Sequence, residues 1–388
     1  MGRHCIHACL TAPLALLATP PHAAAQDAPE AKATEAAQVA EAVEHPDTPA
    51  AEKKEKKRDM LIVPVPISNP SSGSGLAVGG IVFYNPRHEP QNWVSGGGIL
   101  YTNRGTKGIG AFHNMTLGQD RFRLRAILAY TDGPLKYFGT GDTAGFAGTS
   151  VDLPNKNLSV QVQAQVRAFP HGYVGLRYKY SHYDAKDPED PLPPGFVLPP
   201  AAELKSALSM LGPFLSYDTR DNQTLPAHGL FLSANWMFGA RAFGDSFGHT
   251  KLQLTGNAYM PAGRNTTLAV RGVTCGVTGH VPFYDLCSFG AGIDLRGYEA
   301  GRYRDRVDWA VQGEVRHRFN RRFGAVAFAG LGGIAPSLGH ILDKGDALPS
   351  IGAGVRYRPF RDNDVNLRLD VAMGLHGPGL YFGIAEAF

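Results

Sequence analysis

The sequence predicts an all-β fold, a transmembrane antiparallel β-barrel of about sixteen strands. Three observations carry that expectation. Short stretches alternate apolar and polar residues, the N-terminus reads as an export signal, and long and short connections fall on opposite sides of the strands. The clearest stretch runs from Leu158 to Arg167. Leu158, Val160, Val162, Ala164 and Val166 share one face, and Ser159, Gln161, Gln163, Gln165 and Arg167 share the other. Successive strand side chains point to opposite sides, so this strand separates an oily face from a wet one. Such a wall fits lipid outside and a polar lumen inside.

Residues 1–25 start weakly positive at Arg3 and carry a short apolar core from Leu10 to Leu17. Small residues Ala23, Ala24 and Ala25 precede Gln26, the pattern of a secretory signal peptide. The core is too short to cross a bilayer as a helix, and Pro13 interrupts it. Residues 26–59 are rich in Ala, Glu and Lys and include the charged run from Glu52 to Arg58. Low hydrophobicity and dense charge make this a disordered periplasmic lead-in. The barrel takes residues 60–388.

The expected strands are 61–67, 75–85, 92–101, 107–117, 120–131, 157–169, 172–183 and 206–217. The second half gives 229–240, 248–260, 264–275, 306–319, 322–333, 350–359, 363–374 and 379–388. An even number suits a bacterial barrel with both ends in the periplasm. Connections 132–156, 184–205 and 276–305 are long and share one side, whereas 118–119, 170–171 and 320–321 are tight and share the other. Bacterial barrels have long outer loops and short periplasmic turns. No run of about eighteen apolar residues occurs, which excludes transmembrane helices.

Alternation assigns faces elsewhere. Phe122, Leu124, Ala126, Leu128 and Tyr130 face lipid, with Arg121, Arg123 and Arg125 inward. Val174, Leu176, Tyr178 and Tyr180 face out, with Arg177 and Lys179 inward. Near the C-terminus Val365, Leu367, Leu369, Val371 and Met373 face out, with Asn366, Arg368 and Asp370 inward. A charge on the lipid face costs a few kcal/mol at mid-depth, so these charges belong in the lumen.

The connection 276–305 carries Asp294-Leu295-Arg296-Gly297-Tyr298-Glu299. Tyr217-Asp218-Thr219-Arg220-Asp221-Asn222, with Pro226 and Gly229, lies between the eighth and ninth strands. Pro64-Val65-Pro66 with Ser74-Gly75-Leu76, and Tyr137-Phe138-Gly139-Thr140-Gly141, lie earlier. On these elements, in this order, residues 60–388 resemble the BamA/TamA superfamily of outer-membrane barrels, the bacterial surface antigen family. Members carry a Val/Leu-Arg-Gly-Phe/Tyr motif in the sixth outer loop, with five strands after it. Here Leu295, Arg296, Gly297 and Tyr298 occupy that place, and Asp218, Arg220, Asp221, Pro226 and Gly229 match a periplasmic turn motif.

The resemblance implies a sixth outer loop folded into the lumen, where Arg296 meets carboxylates. Strand parity offers Glu314 and Asp370 as its partners. The family's usual Asp, in a Phe-x-Asp-x-Gly segment, is missing, since the chain reads Phe328-Ala329-Gly330-Leu331-Gly332. Assembly members carry periplasmic POTRA domains ahead of the barrel. Residues 26–58 are too few for one, so a barrel-only member is expected. Tyr381, Gly383 and Phe388 in the last strand resemble the C-terminal signal read by the insertion machinery, with Glu386 at a position usually hydrophobic.

The family's lateral gate lies between the first and last strands. Gly374, Gly377, Gly379 and Gly383 cluster in the last hairpin, and Pro64 and Pro66 deprive the first strand of two donors. A weak seam is expected there.

Cys275 and Cys287 in an exported chain permit either a disulfide or two free thiols. The net charge of +4 is too slight to argue for nucleic acid. No metal-ligand cluster is visible and no cofactor is expected. No Gly-x-Ser-x-Gly elbow occurs, and an enzyme is not expected. The leading reading is a monomeric, multi-pass outer-membrane protein of a Gram-negative bacterium that inserts or translocates protein or lipid. Its expected partners are outer-membrane lipids, the insertion machinery and an exported client. The alternative is a passive pore that Arg121, Arg123, Arg125, Arg177 and Arg316 would make anion-selective.

Overall fold

The computed structural model describes residues 59–69, 73–288, 290, 294–341, 347–358 and 366–388. The expected signal peptide lies outside these residues, as does the lead-in apart from Asp59, which opens the first strand. Sixteen strands form one antiparallel sheet in which each pairs only with its sequence neighbours. They are β1 (Asp59–Asn69), β2 (Gly73–Tyr84), β3 (Trp93–Thr102), β4 (Lys107–Leu117), β5 (Phe122–Tyr137), β6 (Val151–Phe169), β7 (Gly172–Ala185) and β8 (Lys205–Asp218). Then come β9 (Gly229–Gly239), β10 (Thr250–Pro261), β11 (Thr266–Thr278), β12 (Val307–Arg318), β13 (Phe323–Ala335), β14 (Leu348–Tyr357), β15 (Leu367–Gly374) and β16 (Gly377–Ile384). The outer edges of the sheet, β1 and β16, approach within 8 Å.

Side-chain parity builds the wall. Ile99, Leu128, Leu176, Trp236, Val311, Ile351 and Val371 stand exposed on the outer face. Their inward neighbours include Gln163, Gln165, Asn235, Gln312, Glu314 and Asp370, all buried. A soluble domain would bury the first set; a barrel in lipid presents it.

Two expectations about strand ends need correction. β5 and β6 do not stop at residues 131 and 157; they continue as a paired ribbon to Tyr137 and Val151. At 16 and 19 residues they exceed the roughly 9–11 that cross a bilayer. Pro134 lies opposite Pro154, so both missing donors fall on one rung of the ladder. The second correction concerns the last strand. It ends at Ile384 instead of running to Phe388, and Ala385 takes a positive φ of 66°. Ala385 and Ala387 are buried, so the final residues turn away from the ladder.

Beyond the membrane-length part of the wall, inward residues of β5–β9 make an apolar cap. Leu135, Tyr137, Leu153, Tyr183, Leu208, Met210 and Met237 pack with Phe283 and Tyr284 from the connection between β11 and β12. The Tyr183 and Tyr284 rings stack at 4.4 Å, and Phe283 meets Tyr137 edge-on at 5.0 Å. Each such side chain contributes roughly 1.5–3 kcal/mol by leaving water. The described residues of that connection, 279–288, 290 and 294–306, here called loop 6, therefore sit in the lumen instead of standing in solvent.

The candidate site: loop 6 inside the lumen

Arg296 has no exposed surface. Its Nη1 donates to Asp370 Oδ2, and its Nη2 donates to Glu314 Oε1. Glu314 is on β12 and Asp370 on β15, so one guanidinium ties loop 6 to both sides of a four-strand segment. Both carboxylates proposed from strand parity are the ones the structure brings to Arg296. A guanidinium fork matches carboxylates well, and a buried cation without such partners would be strongly destabilising.

Several neighbours were not foreseen. The Arg296 guanidinium lies 3.4 Å from the centroid of the Phe328 ring. Phe328 belongs to the segment that lacks the family's Asp. Gly330, in the Asp position, is where a Cβ would come within 2.8 Å of Leu295 Cδ1. The missing carboxylate is thus replaced by room for the motif's leucine, which is itself fully buried. Gln312 Oε1 accepts from Arg296 N and Nε at 3.4 Å, and the Ser350 hydroxyl donates to the Arg296 carbonyl.

Gly297 has φ +104°, and a Cβ there would lie 2.8 Å from the Gly374 nitrogen. The motif glycine is needed both for its left-handed backbone and for close approach to β15. Its N–H donates to Tyr381 Oη at 2.7 Å, and Tyr298 Oη donates to the Pro349 carbonyl at 2.6 Å. Tyr381, expected as part of an insertion signal, is buried and faces inward as a partner of loop 6. Gly374, expected only to weaken the last hairpin, leaves space for the loop.

More ions surround this pair. Arg316 Nε donates to Glu314 Oε2 at 2.7 Å, and Arg356 Nη1 donates to Asp370 Oδ1. Glu386, at the position usually hydrophobic, accepts from Arg356 Nε at 2.7 Å and Asn366 Nδ2 at 2.8 Å. The turn after Ile384 carries it inward. Arg316 also donates to the Phe388 backbone oxygen at 2.8 Å and lies 5.0 Å from that ring. Phe388 is therefore seated against luminal arginines.

A second ionic centre sits at the other end of loop 6. Asp285 is completely buried. Its Oδ1 accepts from Lys179 Nζ at 2.8 Å and Lys251 Nζ at 3.2 Å, and its Oδ2 is 2.7 Å from His249 Nε2. Burial alone would raise the carboxyl pKa, but the Lys179 and Lys251 ammoniums and the His249 hydrogen bond outweigh it. The group is held well below the usual carboxylate range. Between the two centres Asp294 pairs with Arg271 at 2.8 Å. A Cys275–Cys287 disulfide, Cα atoms 5.6 Å apart, fastens the start of the loop to β11. The only His, Cys and acid grouping of ligand-like spacing among the described residues is Cys275, Cys287 and Asp308, whose sulfurs are already bonded to each other.

The turn motif is self-contained. Arg220 donates through Nε and Nη2 to both oxygens of Asp218 at 2.9 Å and covers the Phe231 ring at 4.6 Å. Asp221 Oδ1 accepts from the backbone of Asn222, Ala227 and His228, folding the chain around Pro226. Gly229 has φ +108°, and a Cβ there would lie 2.3 Å from the Thr219 carbonyl.

The Omp85 superfamily domain matches residues 80–358. This chain belongs to the Omp85 superfamily. Two solved structures are similar to it. BamA from Haemophilus ducreyi lacking POTRA domains 1–3 has TM-score 0.55 at 13% identity, over 85% of this chain and 70% of that one. CdiB from Escherichia coli has TM-score 0.58 at 12% identity, over 86% and 68%. At such identities the likeness is one of fold. No curated protein matches in sequence. Within the Omp85 fold, loop 6 is the luminal element that the Leu295–Tyr298 motif marks.

Proposed function

We propose that this Omp85-type barrel serves outer-membrane biogenesis, inserting or translocating polypeptide or lipid at the seam between its first and last strands. The observation that carries the reading is the seam. β1 and β16 come within 8 Å, yet no ladder joins them among the described residues. A barrel escapes the hazard of free edges only by closing its ladder. Edges that approach without pairing retain N–H and C=O groups to which an incoming strand can add.

The loop supports the same reading. Gly297 donates to Tyr381 on β16, so the docked state of loop 6 bears on one edge of the seam. In this scheme residues 1–25 direct export, the chain resides in the Gram-negative outer membrane, and its C-terminal end is read by the insertion machinery. The client is an exported polypeptide. A passive anion pore fits less well. Arg123 and Arg316, two arginines that would select anions, are paired with Asp120 and Glu314, and loop 6 occupies the lumen.

Reconstitution into liposomes with an unfolded barrel client tests the proposal. Faster client folding than in empty liposomes is expected, and a cysteine crosslink between β1 and β16 should abolish it. Unchanged folding rates, or large steady anion currents in planar bilayers, would overturn it.

A further inference from the structure

Past the Arg296 site, the short-turn end of the lumen holds a cavity of about 210 Å³. Its lining contains seven arginines and one carboxylate, Glu386. Turns 262–265 and 319–322 and the end of β14 supply most of the charge. Two of the arginines form a buried floor. Arg316 uses Nε on Glu314 and Nη2 on the Phe388 oxygen. Arg356 uses Nε on Glu386 and Nη1 on Asp370 and the Val355 carbonyl. Arg316 Nη1 and Arg356 Nη2 are buried and have no protein acceptor. Both residues are more than nine-tenths buried.

A buried charged donor left without an acceptor is costly. Arg316 and Arg356 both border the cavity, so two guanidiniums that each keep a spare donor stand at its floor. In the surrounding lattice Arg296, Arg316, Arg356 and Arg368 face Glu314, Asp370, Glu386 and the Phe388 oxygen, so the excess positive charge of the cavity comes from its rim. The rim adds exposed Arg264, Arg318 and Arg322. The cavity also reaches Phe323, which is exposed on the outer face and lies 5.2 Å from the Tyr357 ring. Outward aromatics of this kind mark the head-group level of a barrel.

We propose that this cavity binds a phosphate-bearing anion. A phosphate presents several strong acceptor oxygens at once and can take guanidinium forks from different walls, which one carboxylate cannot do. The phosphate can come from the head group of an anionic phospholipid at the neighbouring membrane surface or from free phosphate. The site goes beyond the insertion reading and does not need it.

The test uses the full chain. In detergent at low ionic strength, calorimetric titration with inorganic phosphate should show saturable binding that fades with salt. In nanodiscs of phosphatidylcholine containing some phosphatidylglycerol, native mass spectrometry should find phosphatidylglycerol enriched on the protein. The exposed rim double variant Arg318→Ala/Arg322→Ala should bind phosphate at least about tenfold more weakly, the scale of one lost charge-assisted hydrogen bond. Folding of that variant is checked by its heat-dependent gel shift.

Phosphate binding together with lipid enrichment, both lost in the variant, identifies the head group as the source. Phosphate binding without lipid enrichment identifies free phosphate. Neither signal, or a folded variant that binds as the parent does, overturns the proposal. So does hexaglutamate binding where phosphate does not, which would assign the cavity to an acidic protein segment.

Discussion

At the cap, loop 6 brings an acid, Asp285, to a wall of bases, Lys179, Lys251 and His249. In the mid-lumen the same loop brings a base, Arg296, to a wall of acids, Glu314 and Asp370. The two centres differ in more than sign. Asp285 sits beside an apolar, aromatic cluster and is the carboxylate paired with both lysines. Glu314 and Asp370 each keep a second arginine, Arg316 or Arg356, whatever Arg296 does. The motif residue therefore lies in a lattice of several arginines, and the residue that no motif marks is the acid on which two lysines and a histidine converge.

That difference predicts the order of effects. Asp285→Ala should be the most damaging change, costing about 4 kcal/mol of loop docking, because it removes a fully buried acid on which Lys179, Lys251 and His249 converge. Hydrogen exchange across residues 279–288 should rise steeply. Asp285 also fixes a pH response. Its pKa is depressed by folding, so its contribution is complete above the ordinary carboxylate value of about 3.9 and is lost as pH falls through the folded value. The cap should stay protected at pH 5 and loosen only below about pH 4, and Asp285→Asn should remove that acid-dependent step.

Arg296→Ala should cost less, about 3 kcal/mol, since Arg316 and Arg356 still balance Glu314 and Asp370. Exchange should rise at residues 294–304 and leave the cap protected. A larger loss for Arg296→Ala than for Asp285→Ala, measured by the same exchange, would break the comparison. The smallest effect belongs to Tyr381→Phe. Removing the hydroxyl that accepts from Gly297 N–H should cost about 1–2 kcal/mol, with exchange confined to Gly297 and its neighbours.

Much of the mid-lumen centre was legible because its signals are local. Strand parity faces Glu314 and Asp370 inward, and the Leu295–Tyr298 motif supplies the loop residue that meets them. The cap was not legible. Lys179, Lys251 and Asp285 lie on β7, β10 and loop 6, and no spacing in the sequence relates them. The luminal roles of Tyr381 and Glu386 were not legible either: the inward parity of Tyr381 brings it to Gly297, and a one-residue break at Ala385 brings Glu386 to Arg356.

Local pattern was enough for the all-β wall and its sixteen strands, and for the outward face of the strands whose alternation is plain. Those properties follow from a two-residue period that any strand must obey in a membrane. Tertiary structure alone decided how far β5 and β6 rise, where the last strand ends and what fills the lumen. Those depend on side chains from distant strands converging on one loop, where burial makes an unpaired charge too costly to leave alone.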